Sequence, residues 1–252
     1  MDPEIIQDAL QDDPEAARSE WLGEFREDVG GFIDRPTVEV AKRFTPLELP
    51  PEPGREYFGF LDPSGGGQDQ FALAIAHIEG GRSNKPVDKG AVYANGQQYG
   101  RIARGDPKQP DQPGPQRIIV DLVRGQRGEP AKIVHEFSEI LREYGITRVQ
   151  GDRYSGHWAS DEFARAGITY EFSKLNKSDL FIELLPVLNS GRAELPPDEK
   201  MITQLCSLER KTSSRTGRDT VDHPPRQHDD LANAVAGAVS IAARRQKRGT
   251  FK

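Results

Sequence analysis

The chain carries one cysteine, Cys206, in 252 residues. A lone thiol excludes an internal disulfide and fits a reducing compartment, and its setting in Ile202-Thr203-Gln204-Leu205-Cys206 is that of a small buried hydrophobe. No apolar run approaches the roughly 20 residues that a membrane-spanning helix needs, and no signal-peptide pattern opens the sequence, so a cytoplasmic location is expected. Nor is there an excess of positive charge: 34 Lys and Arg stand against 40 Asp and Glu, a net of −6, which does not advertise a nucleic-acid binder. The charge is uneven, however. Acid dominates Met1 to Asp34, while Arg210, Lys211, Arg215 and Arg218 crowd a late loop and Arg244, Arg245, Lys247 and Arg248 gather near the end. Such basic surfaces can serve DNA despite an acidic total, or can be ordinary solvated charge.

What is present is enough for one α/β domain with an extension. Asp13-Pro14-Glu15 reads as a helix N-cap, a proline at the first helical position and an early-turn acid; Ala17, Trp21, Leu22 and Phe25 follow at helical spacing as an apolar stripe. Pro46 to Pro53 reads as an extended connector, which divides the chain into a helical extension over 1–50 and a compact domain over 51–252. Strands are expected at Tyr57 to Asp62, Phe71 to Ile78 and Arg117 to Val123, with a short edge strand at Ala91 to Tyr93 and a Gly/Pro/Gln-rich excursion over Tyr99 to Pro115. Then helix and strand alternate. Helices are expected around Ile133 to Leu141, closed by Gly145, and over Trp158 to Ala166, Ser178 to Leu188, Glu199 to Arg210 and Leu231 to Ala243, with strands at Thr147 to Gly151 and Ile168 to Phe172. Three meandering strands followed by βαβα units predict a mixed sheet with helices on both faces.

Three acidic islands stand out against this framework. Asp62 ends the first strand before a Gly65-Gly66-Gly67 turn, Asp152 ends the strand over Thr147 to Gly151, and Asp229 and Asp230 open the last helix behind His228. Each has a plain alternative: Asp62 as a turn residue, Asp152 as a cap for the next helix, one of Asp229 and Asp230 as an N-cap. Carboxylates at two strand ends and a helix start can nevertheless converge above a sheet. Such a cluster repels itself unless a divalent cation sits in it, and hard cations such as Mg²⁺ prefer oxygen ligands. Asp230 is the expected principal ligand of the third island, with Asp229 or His228 assisting; Asp69, across the glycine turn, is a further candidate.

Phe60-Leu61-Asp62-Pro63-Ser64-Gly65-Gly66-Gly67, Gly151-Asp152-Arg153-Tyr154-Ser155-Gly156 and His228-Asp229-Asp230-Leu231-Ala232-Asn233-Ala234 together resemble the nuclease domain of the large terminase subunit of tailed bacteriophages, a ribonuclease H-like domain. The likeness covers roughly Arg55 to Ala243. The stretch from Ser173 to Gly191 and the segment from Asp13 to Trp21 are also similar to terminase sequence, the latter to the piece that joins packaging motor to nuclease. One departure matters: the chain contains no Gly-x-x-x-x-Gly-Lys-Ser/Thr phosphate loop, so it is expected neither to hydrolyse ATP nor to translocate DNA, and reads as a nuclease domain apart from its motor.

The resemblance implies a ribonuclease H-like mixed sheet, antiparallel in its first three strands and then parallel, and metal-dependent cutting of double-stranded viral DNA in the cytoplasm of a bacterial host. Asp62, Asp152 and Asp230 would hold two divalent ions, Mg or Mn, about 4 Å apart, with Asp229, Asp69 and His228 as further ligand candidates. Lys174, Lys177, Arg210, Arg215 and Arg218 would contact phosphates, positioning DNA without reading its bases. Lys177 has a second reading as a salt-bridge partner of nearby acids. The portal, the small terminase subunit and the motor domain are the implied partners. Rival readings are another ribonuclease H-like phosphotransferase, such as a Holliday-junction resolvase or a transposase, and a non-catalytic DNA- or capsid-docking module. An actin-like or sugar-kinase ATPase would need a phosphate-binding loop stronger than Gly65-Gly66-Gly67.

Overall fold

The computed structural model describes residues 29–63, 70–80, 93–94, 97–98, 116–153, 157–212 and 219–249. The amphipathic stripe around Trp21 and the whole of the Gly/Pro/Gln-rich excursion lie outside these residues.

A six-stranded sheet forms the centre. Its strands are β2 (Tyr57–Asp62), β3 (Phe71–Glu79), β6 (Arg117–Gln126), β7 (Arg148–Gly151), β8 (Thr169–Phe172) and β9 (Ala193–Glu194), in the order β8-β7-β2-β3-β6-β9. The pairs β2–β3 and β3–β6 are antiparallel; β2–β7, β7–β8 and β6–β9 are parallel. The antiparallel-then-parallel arrangement expected from the sequence is therefore present. Two-residue strands β4 (Tyr93–Ala94) and β5 (Gln97–Gln98) pair with each other outside this sheet, near the short edge strand expected one or two residues earlier.

The alternation along β2 and β3 decides what lies on each face. Leu61, Phe71, Leu73 and Ile75 point to one core, where helices α2 (Pro130–Glu143) and α3 (His157–Arg165) add Ile133, Phe137, Leu141, Ala159 and Phe163. Phe60, Ala72, Ala74 and Ala76 point to the other, which is completed by α1 (Arg35–Ala41), α4 (Lys177–Asn189), α5 (Glu199–Cys206) and α6 (Asp230–Gly249). Strand residues of period two thus serve two cores at once, as a sheet covered on both sides requires. The small residues on the second face let α6, itself rich in Ala, lie close to the sheet. Gly237 of α6 marks the tightest point: a Cβ there would enter the ring of Phe60.

Residues 29–43 lie before the boundary expected at the proline-rich connector, and they pack in the same core as the residues after it. Phe32, Ile33, Val38 and Ala41 are buried there, and β1 (Val29–Gly31) pairs with β10 (Glu209–Thr212). The buried Arg43 ties the connector to the sheet, donating to the carbonyls of Val120 at 2.6 Å, Pro46 at 2.7 Å and Leu47 at 2.8 Å.

The helix expected over Glu199 to Arg210 is a correction: α5 ends at Cys206, and Glu209–Thr212 is strand β10, paired with both β1 and β11 (Asp219–Asp222). Helix-compatible residues are drawn into a sheet by the neighbouring β11 and by β1, which is distant in sequence, pairing overriding a weak local preference. No described helix is long and apolar enough to cross a membrane.

Candidate functional site

Parallel pairing of β2 with β7 sets Leu61 opposite Gly151, so Asp62 and Asp152 leave the sheet side by side at its carboxyl edge. The backbone fixes this directly, because Asp152 N–H donates to the Leu61 carbonyl at 3.1 Å. Gly151 is demanded by the geometry: the Tyr170 hydroxyl occupies the place of a Cβ there, and donates to the Asp152 carbonyl at 2.9 Å. This edge of an α/β sheet is where such folds place ligands.

The third island arrives on α6. A helix N-terminus exposes N–H groups that a nearby Asp side chain ordinarily caps. Here the buried Gln204 of α5 does this: its Oε1 accepts from Leu231 N–H at 2.9 Å and from Ala232 N–H at 3.1 Å. Asp229 and Asp230 are thereby released from capping those two groups. Asp230 Oδ2 accepts from the Gln70 backbone N–H at 3.1 Å, which pins it at the mouth of β3.

One helical turn on, Asn233 reaches back between the first two islands. Its Nδ2 donates to Asp62 Oδ2 at 2.9 Å and makes a long contact with Asp152 Oδ2 at 3.5 Å. The four groups therefore share one small volume. Asp62 keeps some exposed surface, yet its carboxylate sits deep among neighbouring atoms. That burial pushes its pKa well above the usual carboxylate value; Asn233 pulls it down, while Asp152, Asp230 and Asp229 push it up further. Burial likewise raises Asp229, outweighing the opposing pull of Lys177. Carboxylates at two strand ends and a helix start, one of them strained towards protonation, form the oxygen-only donor set that suits Mg²⁺ or Mn²⁺.

The cleft continues for about 880 Å³ towards β10, β11 and the start of α4. Among the described residues, eight carboxylates line it against two lysines, Lys177 and Lys211. Lys177 is ion-paired, its Nζ lying 2.6 Å from Asp222 Oδ1 and 3.1 Å from Asp229 Oδ2. Although burial draws its pKa down, Asp229 and Asp222 hold it above the usual lysine value. His223 stands beside this pair, with Nε2 at 3.9 Å from Asp229 Oδ1, so Asp222, His223 and Asp229 present ligand atoms within 4.8 Å of one another.

Of the residues singled out in the sequence, Asp62, Asp152, Asp229, Asp230 and His228 all line this cleft, as does Lys177. Lys174 is exposed beside it in sequence. Arg210 has its guanidinium carbon 5.0 Å from the centre of the Phe32 ring and its Nε 3.7 Å from Asp219 Oδ2. Asp69, Arg215 and Arg218 lie outside the described residues. Sequence reasoning missed Asn233, Gln204, Asp222 and His223. Asn233 carried a usable signal, since it stands three residues after Asp230 and so on the same helix face. Gln204 carried none, because its role depends on α5 meeting α6.

No protein-family model and no curated protein sequence matches the chain. Solved structures do match. The large terminase nuclease of thermophilic phage G20c superposes with a TM-score of 0.55 at 16% identity, covering 76% of this chain and 85% of that one. The HK97 bacteriophage large terminase gives 0.55 at 15% identity over 94% of this chain, which spans 50% of that longer protein. The nuclease domain of the large terminase subunit of bacterial virus Sf6, seen with manganese, gives 0.53 at 12% identity, covering 82% of this chain and 97% of that one. The G20c nuclease has also been seen with bound magnesium and with bound cobalt. Identities this low speak for a shared fold.

Proposed function

We propose, from the ribonuclease H-like fold shared with large terminase nucleases, that the chain is a divalent-metal-dependent endonuclease that cuts double-stranded DNA during viral genome packaging. The observation that carries this reading is the convergence of Asp62, Asp152 and Asp230 at one edge of the sheet, with Asp62 pushed towards protonation by burial and by its acidic neighbours. Three such carboxylates repel one another, and a bound cation relieves that repulsion.

In this reading Asp62, Asp152 and Asp230 hold two divalent ions, Mg or Mn, and Asp229 lies close enough to assist. Bound ions of this kind supply a more acidic water as nucleophile and stabilise charge on the leaving oxygen. The chain's own residues do the rest. The strand ends and α6 fix the carboxylates relative to one another, so little reorganisation is needed when phosphate arrives. Lys211 lines the acidic cleft beside the ion-paired Lys177, and with Lys174 and Arg210 nearby in sequence these are the candidates for contacts that hold the DNA backbone without reading sequence. Portal, small terminase subunit and motor belong to the same reading as packaging partners.

The test is supercoiled-plasmid cleavage with Mn²⁺, Mg²⁺ or EDTA, comparing wild type with Asp152→Ala. Relaxation and linearisation with metal, abolished by EDTA and by at least about 10³-fold in the variant, are expected, since removal of a group central to catalysis costs on the order of 4 kcal/mol or more. Cleavage of undiminished rate by a folded Asp152→Ala protein would overturn the assignment.

A further inference from the structure

We infer that Asn233 is a positioning residue of the acidic site, the group that holds Asp62 and Asp152 convergent before a cation binds. This rests on the metal-site reading above and deepens it.

Two carboxylates on adjacent strand ends repel each other, and the parallel pairing of β2 and β7 sets the two residues side by side without fixing the rotamers of their side chains. Asn233 does so chemically. Its amide nitrogen carries two hydrogens, and Nδ2 lies 2.9 Å from Asp62 Oδ2 and 3.5 Å from Asp152 Oδ2. One neutral donor therefore binds Asp62 and lies within long contact of Asp152. The rest of the amide agrees with this role. Its other end, Oδ1, is buried without a hydrogen-bond partner among the described residues, and the residue as a whole is 1% exposed. With both carboxylates ionised, turning the amide over would set Oδ1 against two carboxylate oxygens, so the side chain surrenders its acceptor in order to place its donors.

The backbone supports the same role. Asn233 N–H donates to the Asp229 carbonyl at 2.7 Å, which seats it in the first turn of α6, one turn from Asp230. Gln204 secures that turn from below, and the close passage of α6 over Phe60 fixes its height above β2. A side chain of Asn length at this one position spans to both strand ends. Groups that orient ligand carboxylates in this way typically contribute 10- to 100-fold in metal affinity.

The experiment compares wild type, Asn233→Leu and Asn233→Ser in the full chain by calorimetric Mn²⁺ titration, with thermal unfolding in EDTA as the check on folding and plasmid cleavage across a Mn²⁺ series. Leu removes both donors at similar size. Ser is smaller and its hydroxyl stops short of both carboxylates, so it supplies a second donor-free variant should Leu disturb the packing. The expected result is Mn²⁺ affinity weakened about 10- to 100-fold in both variants, with the cleavage curve moved to higher Mn²⁺ and its plateau far less affected. A folded variant that binds Mn²⁺ as tightly as wild type overturns the inference. Wild type that binds Mn²⁺ and does not cut would refute the nuclease reading alone, because the affinity differences remain measurable. Wild type that takes up no Mn²⁺ would remove both.

Discussion

Asp62 concentrates the conflict that the rest of the site is built around. An ionised carboxylate that is deeply placed is costly, and here three further acids surround it. Its pKa is raised on folding, so the folded chain holds that proton more tightly than the unfolded chain does. The stability it contributes is present below the ordinary carboxylate value and is lost as pH rises through its elevated folded value. At neutral pH in EDTA, Asp62 therefore destabilises the protein, and Asp229, also raised, acts with the same sign. Asp222 has the opposite sign. Burial raises it, but its bond to Lys177 wins and leaves it lowered, so its contribution is lost only when pH falls below the usual carboxylate range. The prediction at this scale is that Asp62→Asn raises the thermal midpoint in EDTA at pH 7, by about 2–4 °C for each kcal/mol relieved, while abolishing calorimetric Mn²⁺ binding. An unchanged or lower midpoint would mean that the buried charge is already compensated.

At the scale of elements, the site depends on how closely α6 lies on β2. Ala72, Ala74 and Ala76 clear a shallow floor, and Gly237 lets the helix settle onto Phe60. Gly237→Ala is expected to cost about 1–3 kcal/mol by overpacking, read as a lower urea midpoint at unchanged m-value. Because Asp230 and Asn233 ride on the same helix, Mn²⁺ affinity should fall with it. These relations also explain which parts of the site could be read in the chain. Asp62 and Asp152 were legible because each follows a short β-prone run, so local pattern alone puts them at strand ends. Asp229 and Asp230 were legible because a long Ala-rich helix follows them. Glu209-Arg210-Lys211-Thr212 was not legible as a strand: it lacks apolar alternation, and β1, one of its partners, lies about 180 residues earlier in the chain. The capping of α6 by Gln204 was hidden for the same reason, since it exists only once two helices have met.

For the whole molecule, the balance of charge decides the order of events. A chain of net charge −6 presents a cleft with eight carboxylates and two lysines among its described lining residues, so its bare surface repels a DNA backbone. Divalent ions held there offset much of that local negative charge. They should also stabilise the fold, because they bind carboxylates that only the folded chain brings together. At a free Mn²⁺ concentration 100 times its dissociation constant, the gain is about 2.7 kcal/mol. For a chain of this size that corresponds to a rise of roughly 5–10 °C in thermal midpoint. The raised pKa of Asp62 fixes the pH dependence: protons compete with the ion for that carboxylate, so the Mn²⁺-induced shift should be large at pH 7 and shrink progressively on acidification through the elevated value. Scanning unfolding at fixed Mn²⁺ between pH 7 and pH 5, with EDTA controls at each pH, measures it. A Mn²⁺ shift that is independent of pH would place the ion on exposed acids elsewhere, and would separate metal binding from the convergence of strands β2 and β7 with helix α6.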